Sequence, residues 1–349
     1  MFSIDTLVRD NIRNMVPYSS ARDEFKGEAK IFLDANENSL GSSSSPPYNR
    51  YPDPLQDELK HALSQIKGIP SEHIFFGNGS DECIDLLYRA FCRPGKDNVI
   101  ICPPTYGMYE VCARINDIAV RRAQLRGDFQ LDLQQIEKLI DENTKIIWIC
   151  SPNNPTGNAM ARRDIEIVLN NFEGLVVIDE AYVNFSKHKS FTLELGEYPN
   201  LIILQTLSKA WGLAGLRLGM AFASKEIILL YNKIKPPYNI SEASQQMGLE
   251  ALKNINYVNE MTREIVELRE QLLSRLKRIQ VVLEVFPSET NFLLVKFADP
   301  LTVYSSLLTK GIVVRDRSNF VLCERCLRVT VGTASQNNEL ITALSQIST

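Results

Sequence analysis

Residues 146–157 read IIWICSPNNPTG, so five apolar residues are followed directly by a loop that contains two prolines and a glycine. An apolar run bounded by turn residues predicts a strand buried on both faces, as in parallel sheets covered by helices. Ligands bind at the carboxyl ends of such strands, which makes residues 151–157 a candidate site. Taken alone, however, the loop is explained more simply as an Asn-Pro turn.

Similar runs occur on both sides of this stretch, with helical patterns between them. They cover residues 74–76, 99–102, 175–178, 201–204 and 218–222. This alternation predicts an α/β domain with a mostly parallel sheet flanked by helices. Residues 1–35 lack strong periodicity and are predicted to be an arm that packs on another part of the protein.

The pattern changes after Pro236 and Pro237, where a long amphipathic helix is predicted along the stripe from Val258 to Ile279. Strand-like runs and a final helix from about Asn338 follow it. The runs cover residues 281–286, 292–297, 312–314 and 327–331. We therefore predict a large domain over residues 36–240 and a small α+β domain over residues 241–349.

Charge and composition exclude several classes of protein. The chain has 349 residues, with 42 acidic and 38 basic side chains and a net charge of -4. This balance gives no basic field to attract nucleic acid or an anionic membrane. No apolar run approaches the roughly 18 residues of a membrane span, and the start MFSID is unlike a signal peptide. We therefore expect a cytoplasmic protein with neither partner.

Histidine and cysteine are informative because of their numbers. Three histidines exclude a histidine-rich metal centre and leave few candidates for a Ser-His-Asp hydrolase. Seven cysteines, an odd number, are expected to be reduced thiols. Cys323 and Cys326 form a C-x-x-C pair, but no second pair completes a zinc site. No metal is predicted, and another residue type must move protons if the protein is an enzyme.

Residues 77–82 read GNGSDE and connect a predicted strand to an amphipathic helix. They begin like a dinucleotide-binding fingerprint, but Glu82 stands where the last glycine belongs. Ser80 is a suitable N-cap, and free N–H groups of a first helical turn can bind a phosphate. A plain helix cap without a ligand explains the stretch equally well.

Two further strand ends carry charged residues. Residues 179–182 read DEAY, and Asp179 needs a cation or several hydrogen bonds as it leaves an apolar strand. Lys209 follows the run 201–204, and Arg217 comes eight residues later. Partial burial lowers the pKa of a lysine, as covalent bonding to a carbonyl carbon requires. A helix cap for Asp179 and a surface position for Lys209 are the simpler alternatives.

Together these loops supply what pyridoxal 5'-phosphate needs. The set comprises a lysine for its aldehyde, an aspartate for its ring nitrogen, hydrogen bonds for its phenolic oxygen and a phosphate clamp. With these residues in this order, the chain resembles the fold-type I, pyridoxal-phosphate-dependent aminotransferases of class I/II. The matching segments are residues 33–38, 50–53, 77–82, 104–106, 151–157, 179–182, 208–209, 217 and 327–332.

The resemblance implies the fold and the roles of the cofactor site. The fold would be a large domain with a mostly parallel, seven-stranded sheet, a small α+β domain, and an arm on the small domain and the partner subunit. Lys209 would bond to the cofactor and move the proton, Asp179 would pair with the ring nitrogen, and Asn154 and Tyr182 would bind the phenolic oxygen. Tyr106 would stack on the ring. The phosphate would be held by Gly79, Ser80, Asp81, Thr206, Ser208, Arg217 and Tyr51 of the neighbouring subunit. Asp81 is compatible with this role if it contributes its backbone N–H and points its side chain away.

The resemblance also implies substrates and a homodimer. Arg328 would bind the α-carboxylate of an amino acid, Arg315 would help to balance a phosphate dianion, and Tyr18 of the partner arm would contact that phosphate. The implied reaction is ping-pong transfer of an amino group between L-histidinol phosphate and 2-oxoglutarate in histidine biosynthesis. Tyr238 would line the imidazole side. Ser39 departs from the family pattern, which has proline there.

Three alternatives stay open at this point. An aromatic amino-acid aminotransferase of the same fold would need Arg328 but lose little without Arg315. A lyase of the O-phosphothreonine decarboxylase type would release carbon dioxide and need no 2-oxo acid. A non-enzymatic cofactor-binding regulator would usually carry an additional DNA-binding segment, for which the sequence has no spare domain.

Overall fold

The structure, a computed structural model, describes residues 3–21 and 29–347. Within them the larger sheet is formed by β1 (Ile74–Asn78), β2 (Asn98–Ile101), β3 (Ala119–Arg122), β4 (Thr144–Cys150), β5 (Leu175–Asp179), β6 (Leu201–Thr206) and β7 (Leu218–Phe222). The spatial order is β1-β7-β6-β5-β4-β2-β3. Only β7 runs against its two neighbours; the other pairs are parallel. The predicted α/β fold with a mostly parallel sheet is confirmed.

Helices cover this sheet on both faces. The chain begins with α1 (Ile4–Leu7) and α2 (Asp10–Arg13) and continues with α3 (Asp57–Lys67), α4 (Ser80–Phe91), α5 (Met108–Ile115), α6 (Leu133–Leu139), α7 (Arg162–Asn171), α8 (Lys225–Ile234), α9 (Glu242–Leu252) and α10 (Ile255–Leu276). Single 3₁₀ turns cover Ser71–His73, Val183–Phe185, Phe191–Glu194 and Ala214–Leu216. The helix predicted from the stripe at Val258 is α10, which ends at Leu276, before Ile279.

Strand β4 shows why the sheet is buried on both sides. Ile146 and Trp148 pack into the apolar cluster formed with α4, α5 and α8, whereas Ile147 and Ile149 pack into the cluster on the opposite face. All four side chains are almost fully buried. Burial of a large apolar side chain contributes about 1.5–3 kcal/mol, so this alternation fixes the register of the central strand.

A smaller antiparallel sheet follows α10. It contains β8 (Val282–Val285), β9 (Phe292–Phe297), β10 (Arg315–Asp316) and β11 (Cys326–Thr330), in the order β10-β11-β9-β8. Helices α11 (Pro300–Thr309) and α12 (Ala334–Ser345) pack on it. Thr333 and Gln336 form a capping box that begins α12 four residues before the predicted Asn338. The predicted domain boundaries themselves stay predictions.

Helix α10 connects the two sheets. Its Val258 packs into the core of the larger sheet, whereas Leu272 packs into the core of the smaller one. Between them, Arg269 is 1% exposed and donates hydrogen bonds to the carbonyl oxygens of Phe185 (3.3 Å) and Thr290 (2.9 Å). These bonds satisfy a charge that would otherwise be costly to bury.

The first two helices of the arm lie beside the larger sheet. Residues 1–35 were expected to pack on the small domain and on the partner subunit, but α1 and α2 pack on α4 and α8. The Arg9 N–H donates to the carbonyl oxygen of Ala90, and Lys233 donates to that of Arg13. Val8 and Ile12 bury their side chains in this contact, which explains the placement. The part of the arm at residues 22–28 lies outside the described residues.

Two strands also differ from the expectation. The edge strand β3 reads AVRR, has mostly part-exposed side chains and carries little apolar signal. Residues 312–314 were predicted as a strand, but pairing with β11 begins only at Arg315. In the described residues, no helix is both long and apolar enough to span a bilayer.

Candidate active site

A cavity of about 670 Å³ opens at the edge of the larger sheet where its parallel strands end. Cys150, Asp179 and Thr206, the last residues of β4, β5 and β6, all line it. The loops after these strands therefore point into one space, as expected of an open α/β sheet. The predicted site residues in its lining are Ser80, Asp81, Tyr106, Asn154, Asp179, Tyr182, Thr206, Ser208, Lys209, Arg217, Arg315 and Arg328.

An anion cradle forms one end of the cavity. Helix α4 begins at Ser80, so the N-cap is Gly79 rather than the predicted Ser80, and Gly79 brings no capping side chain. Gly79 has a φ of +75°, and a Cβ there would overlap the guanidinium of Arg217. A Cβ at Gly219 would likewise overlap the backbone of Ser80. Only glycine at both positions brings the helix start and Arg217 together.

Thr206 and Ser208 extend this cradle with hydroxyl groups. The Thr206 hydroxyl donates to Oγ of Ser208 at 2.9 Å and also accepts from the Ser208 N–H at 3.1 Å. Both residues line the cavity beside Arg217. The loop after β6 therefore presents two hydroxyls and one guanidinium, which are typical ligands of a phosphate.

Asp81 behaves differently from the expectation. The resemblance required its backbone N–H, with the carboxylate turned away from the site. Instead, the carboxylate accepts hydrogen bonds from the Tyr106 hydroxyl at 3.0 Å and from Arg217 at 3.3 Å. These donors are within reach because Asp81 lies in the first turn of α4 and its side chain faces the cavity.

Asp179 lies at the buried end of β5 and is 3% exposed. Burial raises the pKa of its carboxyl group, while hydrogen bonds from the Tyr109 hydroxyl (2.6 Å) and the Ala181 N–H (3.0 Å) oppose that shift. Tyr109 is held in turn by stacking on Trp148, with ring centroids 4.9 Å apart. The carboxylate orientation is therefore fixed by a buried aromatic group.

Asn154 and Tyr182 lie next to each other, as predicted. The Asn154 amide donates to the Tyr182 hydroxyl at 3.5 Å, and its carbonyl oxygen accepts from Arg328 at 2.5 Å. Burial raises the pKa of Tyr182, although the charge of Arg328 opposes this. One chain of contacts thus joins the loop after β4, the loop after β5 and strand β11.

Lys209 lines the cavity from the loop that follows β6. Its Nζ lies 5.6 Å from the centroid of the Tyr182 ring. Burial lowers the pKa of Lys209, and the positive charges of Arg328 and Arg217 lower it further. Asp179 opposes this shift. The neutral amine, which is the nucleophilic and basic form, is therefore favoured more than in an ordinary lysine.

Arg315 and Arg328 occupy paired positions on β10 and β11. Directly opposite residues of an antiparallel pair place their side chains on the same face, and both arginines line the cavity. Burial lowers the pKa of Arg328, and its Nε is buried without a hydrogen-bond partner among the described residues. This side of the cavity therefore offers unused donors to an anion.

Three predicted tyrosines lie outside the cavity of their own chain. Tyr18 is 74% exposed, and Tyr51 stacks on Tyr238 with centroids 4.5 Å apart. None of the three is among the residues that line the cavity. Their expected contacts with cofactor or substrate therefore stay predictions, and for Tyr18 and Tyr51 those contacts were expected across a dimer interface.

Two residues of the site were not predicted from the sequence. Tyr109 lies in the first turn of α5, and no sequence signal marks it as the hydrogen-bond partner of Asp179. Arg317 lies two residues after Arg315 and also lines the cavity. The period of two in an extended segment could have indicated that both face the same way.

Comparisons with known proteins show the family of the chain. Residues 24–344 match the family described as aminotransferase class I and II. A histidinol-phosphate aminotransferase from Cytophaga hutchinsonii is 54% identical over 98% of this chain and 99% of its own length. The structure resembles that of the histidinol-phosphate aminotransferase from Clostridium acetobutylicum, with a TM-score of 0.79, 26% identity, and coverage of 85% of this chain and 90% of that one. A third such enzyme, from Sinorhizobium meliloti, was solved with pyridoxal 5'-phosphate; it has a TM-score of 0.78 and 24% identity, covering 85% and 82% of the two chains.

Pyridoxal 5'-phosphate is the cofactor of this family, and the residues present fit it. The glycine-lined helix start with Arg217 suits the phosphate, and a carboxylate with two fixed donors suits the ring nitrogen. Lys209, with its lowered pKa, suits the aldehyde. The predicted enzyme class and cofactor are confirmed. The chain belongs to the class I and II aminotransferases and is a pyridoxal-phosphate-dependent transaminase.

Proposed function

We propose that this enzyme transfers the amino group between L-histidinol phosphate and 2-oxoglutarate, giving imidazole acetol phosphate and glutamate, as a step of L-histidine biosynthesis. The similarity to the Cytophaga hutchinsonii enzyme, at 54% identity over nearly the whole chain, carries this proposal. A cationic wall formed by Arg315 and Arg328 lines the same cavity as Lys209. It supports the proposal, because this reaction must accept both a phosphate and a carboxylate at one place.

We assign the proton transfer to Lys209. The bound cofactor supplies an electron sink and carries the amino group between the two substrates. The neutral Nζ of Lys209 takes up and releases the proton at the substrate carbon that bears the amino group. Its lowered pKa favours the form that can accept this proton. This assignment explains how an enzyme with three histidines performs acid–base chemistry.

The remaining site residues hold the cofactor in our proposal. Asp179 pairs with its ring nitrogen, and Asn154 and Tyr182 donate to its phenolic oxygen. Tyr106 stacks on the ring. The phosphate is held at the helix start after Gly79 by the backbone N–H groups of Ser80 and Asp81, while the Gly79 N–H donates to the carbonyl oxygen of Arg217 at 2.6 Å. Thr206, Ser208 and Arg217 bind the phosphate through side chains, and Tyr51 of the second subunit completes the set.

Replacing Arg315 by alanine tests the choice of substrate. Arg328 binds the anionic end of every substrate, whereas Arg315 is needed mainly for a phosphate dianion. We expect Arg315→Ala to lower kcat/KM for histidinol phosphate about tenfold or more, because a charge-assisted hydrogen bond is lost. The rate with glutamate should change little, while Arg328→Ala should impair both. If the protein were an aromatic aminotransferase, Arg315→Ala would leave its preferred donor almost unaffected.

We also propose a homodimer in which each arm completes the partner's site. Apolar side chains stay exposed along the segment that precedes α3, among them Val16, Ile31, Leu33 and Leu40. Exposed apolar groups of this number are typical of an interaction surface. Sedimentation should give twice the mass of one chain, and a monomer that is fully active would contradict the proposal.

A hybrid dimer tests the shared site directly. We expect Tyr51→Ala chains to bind the cofactor weakly and Lys209→Ala chains to be inactive. Coexpressed, they form hybrids in which one site carries both changes and the other carries neither. Such hybrids should regain about half of the native activity per dimer. If Tyr51 acts within its own chain, no site in the hybrid is intact and no activity returns.

Residues 36–240 and 241–349 are proposed as the two domains, because β1 to β7 fall in the first range and β8 to β11 in the second. A cytoplasmic location is proposed as well. All seven cysteines are free thiols, which fits a reducing compartment.

Glutamate production from a panel of amino donors tests the proposed function. The purified holoenzyme is supplied with 2-oxoglutarate and with L-histidinol phosphate, phenylalanine or O-phosphothreonine. We expect histidinol phosphate to be the best donor by kcat/KM. Faster glutamate formation from phenylalanine would favour the aromatic aminotransferase, and release of carbon dioxide from O-phosphothreonine would favour the lyase.

A further inference from the structure

Arg317 extends the cationic wall of the cavity beyond the two arginines already assigned. Its backbone N–H donates to the carbonyl oxygen of Cys326 at 3.0 Å, so it continues the β10–β11 pairing by one step. Arg315 lies opposite Arg328, and Arg317 lies two residues further along the same extended segment. All three side chains line the cavity.

The three guanidinium groups are close enough to influence one another. Burial and the positive charges of Arg328 and Arg315 lower the pKa of Arg317 to about 10, which leaves it charged at neutral pH. None of the three forms a salt bridge with a carboxylate within residues 3–21 and 29–347. Asp316, the nearest acidic residue in sequence, accepts hydrogen bonds from the backbone and hydroxyl of Ser318. Like charges placed together in this way favour binding of an anion with more than one charge.

The contacts of Arg317 leave most of its donors available. Among the residues that the structure describes, its guanidinium donates one hydrogen bond, to the carbonyl oxygen of Asp316 at 3.3 Å. It lies 5.0 Å from the centroid of the Phe320 ring, another residue of the cavity lining. Since arginine has five N–H donors and Phe320 supports only the flat face, the edge of the guanidinium is free to bind a ligand.

The two substrates of the proposed reaction differ in the charge and in the number of acceptor oxygens that they present to these arginines. A phosphate monoester carries a charge of about -1.5 to -2 at neutral pH and presents three acceptor oxygens. A carboxylate carries a single charge and presents two oxygens. Arg328 suffices for a carboxylate, whereas Arg315 and a third guanidinium match the extra charge and the third oxygen of the phosphate.

We infer that Arg317 is a third anion-binding arginine of this cavity, and that it selects amino donors bearing a phosphate monoester over donors bearing only carboxylates. The choice of donor rests on the proposed function, but the binding of phosphate does not. A purely structural Arg317, packed on Phe320, would support both substrates equally.

Half-reactions of Arg317→Gln separate these roles. We expect kcat/KM for histidinol phosphate to fall about 10- to 100-fold, the range for losing one hydrogen bond to a charged group, mainly through KM. The glutamate half-reaction should stay within about twofold of the native one, since Arg328 binds its carboxylate at this end of the site. Arg317→Lys should recover part of the loss, because it restores the charge without the planar donors. Arg263→Gln removes the same charge from an exposed position on α10 and should change neither reaction.

Binding of inorganic phosphate to the holoenzyme provides a test that is independent of the donor. Titration calorimetry should show weaker binding to Arg317→Gln by a similar factor and native binding to Arg263→Gln. Equal losses in both half-reactions, or unchanged affinity for phosphate, would overturn the inference. If the native enzyme does not convert histidinol phosphate, the proposed function fails while the titration still decides the role of Arg317. Thermal unfolding identifies a misfolded Gln variant, in which case the Lys variant carries both measurements.

Discussion

Replacing Lys209 by alanine is expected to lower the rate of transamination by about 10⁴-fold or more, since the variant lacks both the nucleophilic amine and the proton carrier. The residues of the phosphate cradle are separate from Lys209, so the cofactor should still bind. The lowered pKa of Lys209 follows from burial and from the charges of Arg328 and Arg217, so a surface lysine cannot take over its role.

Single-turnover rates with histidinol phosphate measure this effect. Lys253→Ala, which removes an exposed lysine just after α9, is the matched control and should keep the native rate. A small primary amine added to Lys209→Ala should restore part of the activity, because it can accept the same proton. A variant that retains more than about a tenth of the native rate would exclude Lys209 as the proton carrier.

Replacing Asp179 by asparagine is expected to leave the bound cofactor in place but to lower the rate about 10²- to 10³-fold, as for the loss of one buried electrostatic contact in an active site. The amide has the shape of the carboxylate but cannot neutralise a protonated ring nitrogen. Tyr109→Phe should have a smaller effect, about tenfold, because it removes only the 2.6 Å hydrogen bond to the carboxylate.

Cofactor content after gel filtration and the single-turnover rate should be measured on the same samples. Full occupancy with a large loss of rate supports pairing of Asp179 with the ring nitrogen. Loss of the cofactor from Asp179→Asn would show instead that the carboxylate acts in binding. Near-native turnover with full occupancy would remove Asp179 from the mechanism.

The strands of the larger sheet were predictable wherever both faces are buried. Successive residues of apolar runs such as 146–150 and 175–178 pack into the clusters on opposite faces of the sheet. Every position of such a run is therefore buried and apolar. The edge strand β3 was not predicted, because its side chains are exposed or only partly buried and it therefore carries little apolar signal. Ile312 and Val314 are apolar because they pack on the core of the smaller sheet, not because they pair with a strand, whereas Val313 is exposed.

Most of the candidate site was predictable because its residues follow the ends of strands that are themselves easy to recognise. Asn154, Asp179 and Lys209 meet in one cavity since parallel strands end at one edge. The hydrogen bonds that orient the site side chains were not predictable in this way. Tyr109 reaches Asp179 from a helix, and the side chain of Asp81 turns toward Arg217 and Tyr106, contacts that depend on packing between elements distant in sequence.

The most direct test of the proposed reaction is the half-reaction of the holoenzyme followed by rapid-mixing absorbance. On mixing with L-histidinol phosphate, the pyridoxal form should convert fully to the pyridoxamine form in one turnover, and 2-oxoglutarate should regenerate the pyridoxal form. Phenylalanine at the same concentration should convert it at least about tenfold more slowly, since it lacks the phosphate that we propose Arg315 and Arg317 to bind. An unchanged spectrum with histidinol phosphate, or faster conversion by phenylalanine, would contradict the account.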